Sequence, residues 1–197
     1  MRTVNFLFFI SFFLSSCHTE EGQLAQWVVY DETEELQANQ EHPVKRMRYK
    51  RIQSQHSDRN TFFIPFKEAL FQFTESEYER LKPLILEQDM LRIQEHVQQG
   101  SLTYEQLTLF YLYRIYRFET ARDTYLNAII ALNPEVLEQA RMRDQNRAQE
   151  LSHPLYGMPI LLKDNINALP MATTAGAAAF KDNIPSDDAF LVKRLKA

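Results

Sequence analysis

The sequence predicts an α/β fold, and three observations carry that reading. Apolar residues recur at helical spacing over most of the chain from Ser76 onward, behind residues that cap helix starts. Two short apolar runs, "LNAIIAL" from Leu126 to Leu132 and "MPILLK" from Met158 to Lys163, interrupt the helical pattern with strand-like composition. Helices alternating with short apolar strands are the pattern of layered α/β domains.

The elements follow in order. Residues 1–16 read as a signal peptide: Arg2, then an apolar run from Val4 to Leu14, then small residues. That run is too short to stay in a bilayer as a spanning helix. It ends in Leu14-Ser15-Ser16-Cys17, which resembles a bacterial lipobox. The resemblance implies a lipid on Cys17, a mature chain starting there, and a membrane partner reached through the anchor at the cell envelope. Cys17 is the single cysteine, so no intrachain disulfide is available. Residues 17–60 read as a tether and charged lead-in, with acidic stretches followed by the basic "KRMRYKR"; such blocks are usually solvated. Residues 61–197 read as one domain, opening on "TFFIPFKEALFQF", whose Phe residues are expected to pin the segment to the body.

Ser76 is expected to cap a helix carrying Tyr78, Leu81, Ile85 and Leu86, kinked or divided at Pro83. A second helix spans Asp89 to Gln99, with Gly100 as its C-terminal cap. Thr103 and Gln106 form a capping-box pair ahead of a third, whose stripe of Leu107, Phe110, Tyr111, Ile115 and Phe118 reads as core. Asn133-Pro134 open a helix running to about Ala148. "MPILLK" follows as a buried strand. Ser186 is expected to cap a last helix, with Asp187 and Asp188 in its first turn.

Composition narrows the function. Of 197 residues, 45% are hydrophobic and 24% charged, which fits a globular domain rather than a disordered chain. Net charge is −4 with no basic stripe, so nucleic acid is not an expected partner. The four glycines lie far apart, so no glycine-rich loop exists for a phosphate or an oxyanion. No His, Cys or Asp cluster has metal-ligand spacing, and neither metal nor cofactor is expected.

Lys163 is the residue with chemical promise. It stands at the end of an apolar run beside Leu161, Leu162 and Ile166. Desolvation lowers a lysine pKa, and a neutral lysine serves as a general base. A salt bridge with Asp164 or another acid is the structural alternative.

The ordered set "LTYEQLTLFYLYRI", "LNAIIALNP", "HPLYGMPILLKDNI", "TTAG" and "DDAFLVKRL" resembles the N-terminal part of the amidase signature family. The match runs from about Leu102 to Ala197, close to half the chain. Two departures stand out: His153, where members often carry Gly, and Ala177, where many carry Ser. The resemblance implies the N-terminal portion of an α/β/α domain behind a helical segment, stopping in mid-domain. It implies hydrolysis of carboxamide C–N bonds by a Ser–cis-Ser–Lys triad, on a small amide or peptide amide. Lys163 matches the triad lysine, which takes a proton from the bridging serine. Asp164, Thr173, Thr174 and Gly176 fall next to the site, with turn structure as their simpler role. The triad serines belong to a glycine- and serine-rich segment that these 197 residues do not contain. The alternative from a different class is a non-catalytic lipoprotein binding module derived from an amidase. The family's transamidating enzyme for tRNA is a third reading, against which the signal-peptide pattern stands.

Overall fold

A computed structural model describes residues 24–29, 31–49, 58–121, 123–147 and 153–196. The signal-peptide segment and Cys17 lie outside the described residues. The helices are α1 (Thr33–Ala38), α2 (Lys67–Gln72), α3 (Glu75–Ile85), α4 (Met90–Gln98), α5 (Tyr104–Thr120), α6 (Val136–Gln145) and a last helix, Phe190–Lys196. Short 3₁₀ turns lie at Lys45–Arg48, Arg59–Phe66 and Ala178–Phe180.

α5 is the central element. Its Leu107 and Phe110 are fully buried against Leu81 and Ile85 of α3, Val97 of α4, and Leu102. Its Leu112 and Tyr116 pack on the other side with Phe63, Phe66, Leu70 and Leu137. Each such side chain contributes about 1.5–3 kcal/mol on leaving water, so two apolar clusters share one helix as their common wall. The expected pinning by "TFFIPFKEALFQF" is observed: Phe63, Phe66 and Phe73 are buried. Trp27 and Arg59, from the segment read as a tether, are buried too. The two ends of that segment meet where the Trp27 N–H donates to Asn60 Oδ1 (2.9 Å) and Asn60 Nδ2 donates to the Trp27 carbonyl (3.0 Å).

The starts of α3, α4 and α5 carry side-chain caps. Thr103 and Gln106 form the expected reciprocal capping box on α5. Asp89 caps α4, and Gly100 takes φ +75° just beyond its end. Four boundaries differ from expectation. α6 starts at Val136, after a Glu135 that makes no side-chain cap, rather than at Asn133-Pro134, because Asn133 Oδ1 instead accepts the Glu135 N–H (3.0 Å) within a turn. α3 is capped by Thr74 rather than Ser76, and it runs through Pro83 undivided, because the proline stands in the last turn. α6 ends at Gln145 rather than about Ala148. The last helix begins at Phe190, not after Ser186, because the Asp188 carboxylate accepts the Leu169 N–H (2.7 Å) and the Lys196 ammonium (2.8 Å) instead of starting a helix.

The larger difference concerns the strands. Among the described residues there is no β-ladder, so the α/β expectation is met only in its helical half. Residues 126–129 and 158–163 are non-helical chain, but a strand needs a neighbour for its N–H and C=O groups. Neither run finds a ladder partner within the described residues. The stripe on α5 differs for the same reason. Tyr111 and Ile115 are only half-buried and Phe118 is 38% exposed, because they face an open groove.

Candidate active site

That groove has a volume of about 1110 Å³. One wall is the Leu107, Tyr111, Ile115 and Phe118 face of α5. The other walls are the apolar runs at 128–132 and 158–162. Lys163, Asp164 and Gly176 all line it.

Lys163 is exposed, and Leu161 beside it is 76% exposed. The burial expected for this lysine is therefore absent among the described residues, because the run that carries it has no layer over its outer side. Nor does Lys163 pair with Asp164, whose carboxylate is occupied elsewhere. Thr174 Oγ1 donates to Asp164 Oδ2 in a short hydrogen bond, the Gly176 N–H donates to the same oxygen (3.0 Å), and the Thr174 N–H reaches Oδ1 (3.3 Å). The Ala175 N–H donates to the Asp164 carbonyl (2.9 Å). Partial burial alone would raise the Asp164 pKa. The donors from Thr174 and Gly176 outweigh it and hold the carboxyl below the usual carboxylate range.

The turn that Asp164 holds is tight. The Ala177 N–H donates to the Thr174 carbonyl (2.9 Å), with Ala175 at φ +50° and Gly176 at φ +73° between them. Two central residues with positive φ make a type I′ geometry, which glycine tolerates and alanine resists. Thr173 closes the loop at the other side. Its N–H donates to the Asn183 carbonyl (2.9 Å), and its carbonyl accepts from Asn183 Nδ2 (2.9 Å). Every backbone N–H from Thr173 to Ala177 is thus spent inside the loop. The loop presents no free pair of amides to a developing oxyanion. Its geometry serves to fix the chain on the far side of Lys163.

Three residues that shape the other side were not singled out in the sequence. Gln94 on α4 is buried and donates from Nε2 to the carbonyls of Pro154 (3.1 Å) and Tyr156 (2.8 Å). Tyr104 on α5 donates its hydroxyl to Gln94 Oε1 (2.7 Å). Burial pushes the Tyr104 phenol above its usual pKa, against the hydrogen bond to Gln94, so it stays a donor. Gly157 lies flat on the Tyr104 ring with φ +71°. Only Gly157 carried a readable signal, as a glycine following Pro-Leu-Tyr. Gln94 meets its partners across some 60 residues of chain, which no local pattern reports. Cys17 lies outside the described residues. Among those described, no group of three or more His, Cys, Asp or Glu could hold a metal, and no helix is long and apolar enough to cross a membrane.

A family model described as Amidase matches residues 106–197. Residues 106–197 belong to the amidase family. The matched region contains Lys163, Asp164, the 173–177 turn and most of the groove. The chain is similar to an amidase family protein of Bacillus anthracis, with a TM-score of 0.62 and 33% identity over 67% of this chain and 26% of that one. It is also similar to a peptide amidase of Stenotrophomonas maltophilia, with a TM-score of 0.53 and 45% identity over 56% of this chain and 23% of that one. A curated relative from Cupriavidus metallidurans, part of a glutamyl-tRNA(Gln) amidotransferase, is 40% identical over 98 residues, which are 49% of this chain and 19% of that protein. The chain spans well under a third of the length of the curated relatives it matches. α2, α3 and α4, and with them Gln94, precede the matched amidase region.

Proposed function

We propose that this chain is the N-terminal part of an amidase that hydrolyses the carboxamide C–N bond of a small amide or peptide amide. One observation carries the reading. Lys163, in a Lys-Asp pair inside the amidase region, lines the groove without an acidic partner among the described residues and lies between two anchored turns. An unpaired lysine on a held segment is suited to proton transfer once covered, because covering would desolvate it. Lys163 then acts as the base of a Ser–cis-Ser–Lys triad. Its neutral amine takes the proton of the bridging serine, and that serine takes the proton of the nucleophile as it attacks the carbonyl carbon. Both serines come from amidase polypeptide outside these 197 residues, and the same polypeptide supplies strands that pair with 126–132 and 158–163 to complete an α/β sheet. The peptide amidase among the similar structures supports a peptide amide as substrate. The sequence up to Cys17 supports a lipid-anchored envelope enzyme.

The decisive experiment measures kcat/KM on a peptide amide with the complete amidase polypeptide. Lys163→Arg is expected to lose about 10²–10⁴-fold, since arginine keeps its proton at working pH, with an unchanged melting temperature. Near-wild-type turnover in Lys163→Arg would sink the assignment. The anchor has its own test: a palmitate analogue should label the wild type and not Cys17→Ala, and equal labelling removes the lipoprotein reading.

A further inference from the structure

We infer that Gln94 is a positioning residue for Lys163: an amide on α4, outside the amidase region, sets where the lysine-bearing segment starts. The inference rests on the role proposed above for Lys163.

The segment is held at two points. Its far end is fixed by Asp164, which gathers the 174–176 turn. Its near end is fixed by the 153–158 turn. There the Tyr156 N–H donates to the His153 carbonyl (3.0 Å) and the Met158 N–H to the Leu155 carbonyl (3.1 Å). Nothing in those two bonds says where the turn sits on the body. Gln94 does that. It is 6% exposed, and its amide uses both kinds of group at once, giving two hydrogen bonds to turn carbonyls and taking one from Tyr104. A buried carboxamide with its donors and acceptor all engaged has one orientation, because flipping it would set donor against donor and acceptor against acceptor. The Tyr156 ring meets the Tyr104 ring edge-on at 5.5 Å, and Gly157 rests on the same Tyr104 ring. From Met158 the chain runs to Lys163 with no ladder partner among the described residues. The course of the lysine-bearing backbone is therefore set at its two ends, and Gln94, together with the Tyr156 hydroxyl that donates to the Arg143 carbonyl (3.2 Å), holds one of them.

A residue that only filled the core would stabilise α4 and α5 without reaching the lysine. Amide hydrogen exchange on the 197-residue chain separates the two roles, and it needs no activity. In Gln94→Met, the Met158 N–H should exchange at least tenfold faster. So should the Ile166 N–H, which donates to the Lys163 carbonyl (3.0 Å). Amides in the middle of α5 should keep their wild-type rates. Tyr104→Phe removes only the hydroxyl that orients the amide and keeps the ring. It should speed the same two amides by a smaller factor, about threefold, and it stands in should Gln94→Met fail to fold. An unchanged Ile166 rate beside a faster Met158 rate would overturn the inference, because the turn would then be loosened without the lysine segment moving. In the complete amidase, Gln94→Met should lower kcat at least tenfold with KM within twofold. A wild-type enzyme with no amidase activity would defeat the proposed function and leave the exchange result to decide the positioning role alone.

Discussion

At Gly157 the backbone takes φ +71°, and a Cβ built there would lie 2.4 Å from Cδ1 of Tyr104 and 2.5 Å from Cγ and Cε1. The ring cannot retreat, because its hydroxyl is tied to Gln94 and it packs in a T-shaped contact with Tyr156. Gly100 offers the control: its φ is +75°, but nothing lies within 4 Å of a Cβ. Gly100→Ala should cost only the left-handed conformation, about 1 kcal/mol. Gly157→Ala should cost that and the overpacking, about 2–4 kcal/mol together. Urea unfolding of both variants checks the difference, and equal losses would show that the ring yields. At this scale the sequence was half legible. The family resemblance sets the Lys-Asp pair and the Thr-Thr-Ala-Gly stretch near each other, with turn structure as the simpler role of the second, and the structure joins Asp164 to Thr174 and Gly176 by hydrogen bonds that hold such a turn. The partners Gln94 and Tyr104 were not readable, since their contacts with the 154–157 turn depend on how α4 and α5 pack.

The elements show the same division between local and distant causes. α5 begins with a Thr103–Gln106 box, which two residues three apart announce in any sequence. Its start has a second anchor from far along the chain. Asp144 on α6 accepts the Tyr104 N–H (2.9 Å) and the Glu105 N–H (3.0 Å), one on each carboxylate oxygen. A carboxylate at this end also meets the positive pole of the helix dipole. Asp144→Ala should therefore cost about 1–2 kcal/mol, at least as much as Thr103→Ala at about 1 kcal/mol. It should also loosen α6 from α5, where Arg141 and Glu105 make an exposed ion pair (2.8 Å) of little energy by itself. Thermal unfolding of both single variants and the double variant checks this. A double-variant loss well short of the sum is expected, since both residues serve one helix start. Helix starts with a local cap were thus legible within about two residues. The start of the last helix was not, because a distant demand on Asp188 decided it.

Across the whole molecule, the described body leaves one apolar groove open beside α5. At the edge of the groove the Arg59–Glu119 pair (2.5 Å) ties the segment before α2 to the end of α5, and Glu119 also accepts the Ala128 N–H (3.0 Å). Both side chains are about nine-tenths buried, and removing one partner from such a pair commonly costs about 3–5 kcal/mol. Along the groove, Ile130, Ile160 and Leu161 are 44%, 45% and 76% exposed. Apolar runs of this kind are the ordinary content of strands buried on both faces. They looked like strands in the sequence because their composition suits a sheet, whereas a ladder depends on partners that composition does not supply. Leu161→Glu separates the two conditions. In the 197-residue chain it should leave the melting temperature unchanged, since the side chain already meets water, and it should raise solubility by breaking an apolar patch. In the complete amidase the same carboxylate would stand where a sheet is covered, and an unpaired buried charge costs several kcal/mol. That variant should lose its folded yield and its activity together. Equal tolerance of Leu161→Glu in both chains would mean that the groove stays open to water in the finished enzyme, and the proposed covering of Lys163 would fall with it.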